Sequence, residues 1–525
     1  MDQGGPRAEE GTSHRPSLGA FTVRESVGRE LFASGTLARL SLGSLGSVGP
    51  GGELKRSGVR SVVHVRPSLP PGSDLADGGE HANYRAEASA GVATGAPTGD
   101  ASNSFLGGAL ERELGAGLDG MDWPQVVLLI VAEVVGTGVL AVPGAVHSLG
   151  WAASVAALLG CYLLNLYTGL LLARLRRLVP TAVTLGDLAA ATLGRCGALA
   201  GWVGLYVYIA FLLGDFAVVL GTSLQATLAR SNGDRGLSRI VAYGISGAVL
   251  MITNQVRTLQ NCGMLCAIST LAIVVAIGLC LGHVLTEGCS ESGSSQPDTG
   301  RGWAVFGALS SLIMAFAGQS IFMEMMAEMK EPQKFHWALH LALPMIMFIY
   351  ALVGGIVFAA CNENTPTYLL DALPVGSMLS RTVGGLLFVH TLVSYTINQQ
   401  VLARGLHLLI DPSRANALAK EQPGFWISCL EWFGITTAQL CFAFGVAISV
   451  HDFEDLVQLI GAALATPLCL LLPLICFLGA PREFMSLLWP KAELGSASAL
   501  SLLTLALTVV GTIAAVRNIV LNFGK

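Results

Sequence analysis

The sequence predicts an all-α integral membrane protein with eleven transmembrane helices. Three observations carry that expectation. The 525 residues are 52% hydrophobic and only 12% charged, against roughly 25% charged in a soluble domain. The charges are also segregated. No Asp, Glu, Lys or Arg occurs in the 40 residues from Val134 to Ala173, enough for about two crossings at roughly 20 residues each. Further charge-free runs occupy 240–256, 258–286, 302–323, 335–362, 382–403, 432–451, 456–481 and 494–516. Runs of this length in lipid must be helices, because the backbone has to satisfy its own hydrogen bonds.

The elements follow in order. Residues 1–120 are rich in Gly, Ser, Ala and charge and lack a long apolar run; they read as a disordered cytoplasmic tail. Polar residues follow Met1, so no signal-peptide core is expected. The stretch 21–40 has the pattern of a short amphipathic helix, though a solvated tail is the simpler reading. From Trp123 onward, spans are expected at 124–147, 149–175, 200–228, 238–255, 258–285, 303–329, 336–361, 379–409, 425–450, 455–479 and 496–518. Residues 121–525 thus form one membrane domain.

Loop charges set the orientation. With the amino terminus in the cytoplasm, the inner loops hold twelve Lys and Arg, among them Arg174, Arg176, Arg177 and Arg257; the outer loops and carboxyl tail hold about seven. The excess places the amino terminus in the cytoplasm. A net charge of −5 offers nothing to nucleic acid. Most of the eleven cysteines fall within spans, but Cys289 and Cys361 sit at outer span ends and form a candidate disulfide. No metal-ligand spacing, phosphate loop or nucleophile elbow stands out, so no cofactor and no enzymatic activity is expected.

Two spans carry anomalies. Span one reads VAEVVGTGVLAVPG at 131–144, with Glu133 followed by Gly136, Thr137, Gly138 and Pro143. Span six reads SSLIMAFAGQSIFMEMMAEMKEPQKF at 310–335, where Ala317 and Gly318 interrupt a bulky run and Glu324 and Glu328 follow on one helical face. An intramembrane acid faces a cavity or a partner, and a helix breaks in lipid only where its free backbone lines a cavity or is buried in protein. Glycine pairs also serve close helix packing. Breaks at matching places in two halves point to an inverted repeat with a midplane site.

These segments resemble the amino acid/auxin permeases. AEVVGTGVLAVPGAVHSLGW is similar to that family's first span, particularly in fungal neutral amino acid permeases. AFAGQSIFMEMMAEMKEPQKF resembles its sixth, VHTLVSYTINQQV at 389–401 the eighth span of plant members, and DFEDLVQLIGAALATPLCLLLP at 452–473 the tenth. The resemblance covers about residues 121–520. It implies a five-plus-five inverted-repeat fold with span eleven outside the repeat, and secondary transport of amino acids driven by a proton or sodium ion. The implied substrate site has amides near Gly136, Thr137, Gly138 and Val139 holding a carboxylate. Carbonyls of Ala315, Phe316 and Ala317 would hold the amine, with Gly318 and Gln319 beside them. Phe316 is a gate over the site or an ordinary packing residue. Fungal members often have His where Gln319 stands, so a His-based coupling role lacks its residue here.

Remaining polar residues stay open. Asp215, in the middle of span three, carries a proton or pairs with a neighbour. Ser394 and Tyr395 face the core and a bound ion, or bond back to their own helix. His390 reads as a packed core residue more than a proton relay. Glu133, Asp215 and Glu324 are the coupling candidates and favour protons over sodium. The rival functions are an amino acid sensor signalling through its tail, and a carrier of auxin-like acids or polyamines. The host bilayer is the plasma membrane or a vacuolar or lysosomal one.

Overall fold

The structure, a computed structural model, describes residues 120–230, 236–257, 262–289, 301–415, 422–450, 452–480 and 491–523. Residues 1–119 of the expected tail, with the candidate helix at 21–40, lie outside the described residues. Among those residues the chain is helical, and the single isolated bridge joins Met121 to Met329. The membrane character shows in which residues face outward. Leu430 and Leu502 are 71% and 70% exposed, whereas Asp215, Gln319 and Gln399 are wholly buried. That inverts the rule for a soluble surface and suits a lipid solvent.

Span one is broken. Helix α1 (Trp123–Val134) stops at Val135, a 3₁₀ turn covers Thr137–Ala141, and α2 (Val142–Leu149) resumes with Pro143 in its first turn. The two pieces are bent by 62°. Gly136 and Gly138 loosen the break, and Pro143 sits where its missing N–H is least costly. Spans two to five follow as α3 (Trp151–Leu178), α4 (Leu185–Leu228), α5 (Arg239–Thr253) and α6 (Cys262–Glu287). Helix α4 starts before the expected 200. Thr184 caps it by accepting from the Asp187 amide at 3.1 Å, while Asp187 accepts from the Thr184 amide at 3.0 Å, a reciprocal cap that secures the first turn. Gly194, at φ 69°, then turns the chain within α4, a conformation that glycine adopts freely.

Span six is interrupted more gently. Helix α7 (Arg301–Phe316) gives way at Ala317 and Gly318 to α8 (Gln319–Ala327), yet 302–327 still passes as one membrane-length element. Next come α9 (Phe335–Cys361), α10 (Met378–Ile410) and α11 (Phe425–Ser449). Span ten comprises α12 (Phe453–Ile460), a π-helical stretch Gly461–Leu471 and α13 (Leu472–Gly479). Pro467 inside that stretch cannot donate to the helix ladder, and the Thr466 hydroxyl donates to the Gly461 carbonyl at 2.7 Å. Helix α14 (Lys491–Phe523) ends the described chain.

Among the described residues eight helices are long and apolar enough to cross a membrane, and the bent α1–α2 pair makes nine. The remaining two expected spans are α5, only 15 residues long, and α10, which is long but carries Asn398, Gln399, Gln400 and Arg404. Helix α10 packs most extensively on α4 and then on α6, so those polar groups point into protein. Cys289 and Cys361, at the ends of α6 and α9, are joined in a disulfide with Cα atoms 5.4 Å apart.

Candidate functional site

The two breaks meet. A Cβ added at Gly138 would stand 2.6 Å from Ala315 Cα, and one at Gly318 would stand 2.8 Å from Val134 Cγ2. Each break therefore lies against the last turn of the other span's first half. At Gly138 the close approach is to main chain, which leaves no room for a side chain, while at Gly318 the space is taken by the Val134 and Phe322 side chains.

Beside this junction lies a cavity of about 50 Å³, room for about three to five waters at roughly 10–15 Å³ each. Its walls come from the span-one break (Glu133, Val134, Gly136, Thr137 and Gly138), the span-six break (Met314, Ala317, Ser320 and Ile321), α10 (Ser394 and Asn398), and one face of α4. Among the described lining residues Glu133 is the one carboxylate. Its Oε1 lies 3.5 Å from the Asn398 amide nitrogen, and that same nitrogen donates to the Ser394 carbonyl at 3.0 Å. The α4 wall is apolar apart from one phenol: Leu205, Tyr208, Ile209, Leu212 and Phe216. Their spacing of three, four and seven residues puts them on one stripe of the helix.

Behind the lining, Thr137 donates to Asp215 Oδ2 at 2.8 Å, tying the 3₁₀ turn of span one to α4. Asp215 Oδ1 is buried with no hydrogen-bond partner among the described residues. The other expected residues lie elsewhere. Val139 is buried outside the lining. Phe316 is turned away from the cavity and packs edge-to-face on Tyr350, ring centres 5.0 Å apart. Gln319 points into α3: its amide nitrogen donates to Asn165 Oδ1 at 2.7 Å and to Thr168 Oγ1 at 3.0 Å. The Ala315 carbonyl accepts from Tyr350. Tyr395 is fully buried beyond the lining, and its hydroxyl has no partner among the described residues. Glu324 sits on α8 outside the cavity, with no partner for Oε2 among the described residues. His390 is held at Nδ1 by the Ser269 hydroxyl at 2.9 Å.

Sequence reasoning missed the α4 stripe and Asn398. Apart from the Tyr208 hydroxyl the stripe carries no polar signal, and it is indistinguishable from the other apolar residues of span three. Asn398 did have one: it opens the Asn398-Gln399-Gln400 run within a span, and polar groups there face the interior.

The sequence profile described as "Transmembrane amino acid transporter protein" matches residues 119–518. The chain belongs to this family. Among characterised relatives, the N amino acid transport system protein of Neurospora crassa is 21% identical over 76% of this chain and 85% of its own. The amino acid transporter AVT3C of Arabidopsis thaliana is 24% identical over 73% of this chain and 88% of its own. Two solved structures align at a TM-score of 0.45: a Na+-coupled sialic acid symporter, at 13% identity over 79% of this chain and 95% of its own, and MhsT in complex with L-phenylalanine, at 14% identity over 77% and 99%. The transporter family spans both breaks, the α4 stripe and every lining residue of the cavity.

Proposed function

We propose that this transporter is a secondary carrier of neutral amino acids, driven by protons and built from eleven spans in a five-plus-five inverted repeat. The reciprocal contact of Gly138 with Ala315 and Gly318 with Val134 carries the reading, because two matching breaks packed on each other are what a repeat related by a two-fold axis would place at its centre. The break of span one offers backbone N–H groups to a carboxylate. The apolar α4 stripe suits an uncharged side chain, and Glu133 with the Thr137–Asp215 pair supplies acids that could exchange a proton between states. Coupling requires such a group to bind its proton differently in the two states. The relatives named as amino acid transporters support the substrate class. The cytoplasmic amino terminus and a plasma or vacuolar membrane belong to the same reading.

A cavity of about 50 Å³ is far smaller than the roughly 300–1,000 Å³ of a ligand pocket. Substrate entry therefore requires the walls to part, as alternating access demands.

The test is uptake by purified protein in proteoliposomes under imposed pH or sodium gradients. A panel of radiolabelled L-alanine, L-leucine, L-phenylalanine, L-glutamate, L-lysine and indole-3-acetic acid separates the substrate classes. Uptake that follows sodium and ignores pH removes proton coupling; preference for lysine or the indole acid removes the neutral substrate.

A further inference from the structure

Tyr350, on α9, is wholly buried and lies outside the cavity lining. Its hydroxyl oxygen is 2.8 Å from the Val134 carbonyl and 2.6 Å from the Ala315 carbonyl. These are the two residues that the opposing glycines, Gly318 and Gly138, press against. Both carbonyls belong to the last turns of their half-helices, where breaks strip carbonyls of their usual amide partners. A tyrosine hydroxyl carries one hydrogen, so two carbonyls of two different spans share one donor.

We propose that Tyr350 is a positioning residue that holds the breaks of spans one and six in register through this shared hydrogen. It touches no substrate; it acts through Val134, whose side of the junction lines the cavity. Both half-helices end with their negative dipole poles here, and the single O–H between them offsets that convergence. The Tyr350 ring packs edge-to-face on Phe316, with the hydroxyl between the two carbonyls. Moving either break relative to the other breaks one of the two contacts, which makes the junction a single unit.

The inference rests on the transport reading, and the test separates the two. The probe is the member of the panel above that wild type takes up fastest; wild type that takes up none defeats transport itself. Tyr350→Phe removes only the oxygen and keeps the ring on Phe316. It is expected to raise KM by about tenfold or more, equivalent to about 1.4 kcal/mol, with maximal rate per folded protein close to wild type and a thermal midpoint lowered by the two carbonyls left without a donor. A purely structural role would lower yield and midpoint and leave KM alone, and that outcome overturns the proposal. Combining Tyr350→Phe with Gly138→Ala should be non-additive in KM, because both act on one junction; full additivity overturns it as well. If Tyr350→Phe does not fold, 3,5-difluorotyrosine at position 350 keeps ring and hydroxyl and strengthens the donor. KM is then expected to change at a constant midpoint, and no change refutes the clamp.

Discussion

Substituting Gly138 with alanine tests the junction of the two breaks directly. The new Cβ would stand 2.6 Å from Ala315 Cα and 3.1 Å from Ala315 Cβ, whereas carbon atoms pack best at about 3.5–4.0 Å. The shortfall is about 1 Å, and it is against main chain, which cannot rotate away as a side-chain tip does. The breaks must separate instead. Overpacking of this kind typically costs about 1–3 kcal/mol, which is about a 5- to 150-fold loss in the population of the closed junction at about 1.4 kcal/mol per tenfold. KM in proteoliposomes should rise within that range while the protein still reaches the membrane. Gly160→Ala is the control: its Cβ would meet nothing within 4 Å, so KM should stay unchanged. Equal responses at the two glycines, or an unchanged KM for Gly138→Ala, would refute the reasoning.

Three further outcomes are expected. Glu133→Gln fixes a cavity carboxylate in neutral form; amino acid exchange should survive while accumulation driven by a pH gradient falls severely, and equal loss of both removes Glu133 from coupling. Gln319→Leu strands Asn165 and Thr168, at about 1–3 kcal/mol for buried polar groups left unpaired. It should lower the thermal midpoint with KM intact; a shifted KM at normal stability would return Gln319 to the site. Cys361→Ser opens a loop spanning 72 residues, worth about 4 kcal/mol in the chain-entropy account. The variant should melt earlier than wild type and become indifferent to reductant, and a variant as stable as oxidised wild type would contradict this.

Much of the architecture was legible because lipid imposes strong rules. Long charge-free runs located the spans, and glycine placed after an acid marked the break of span one. What escaped was direction. A polar residue within a span can be recognised as inward, but the sequence does not say toward which neighbour it points. Gln319, next to the span-six break, therefore read as part of the site, although it serves α3. Phe316 turns onto Tyr350 rather than over the cavity for the same reason. Tyr350 itself sits in PMIMFIYALVGG and looks like any apolar span residue until the carbonyls it reaches are known. The early start of α4 was hidden by Asp187 and Arg195, whose charges argued against a span, although a helix needs no lipid there.

The bonds between α3 and α8 also bear on how the molecule is made. Span two is synthesised well before span six and must tolerate the bilayer without it. It does so with local acceptors: the Asn165 amide donates to the Cys161 carbonyl at 2.7 Å and the Thr168 hydroxyl to the Leu164 carbonyl at 3.0 Å. Asn165 Oδ1 and the accepting side of Thr168 Oγ1 wait for a donor from elsewhere, and the Gln319 amide supplies both. An interhelical bond of this kind is worth about 0.6–2 kcal/mol in a membrane, enough to favour one partner for span six over a generic apolar neighbour. A nascent chain stalled before residue 319 would leave both oxygens of span two without that donor.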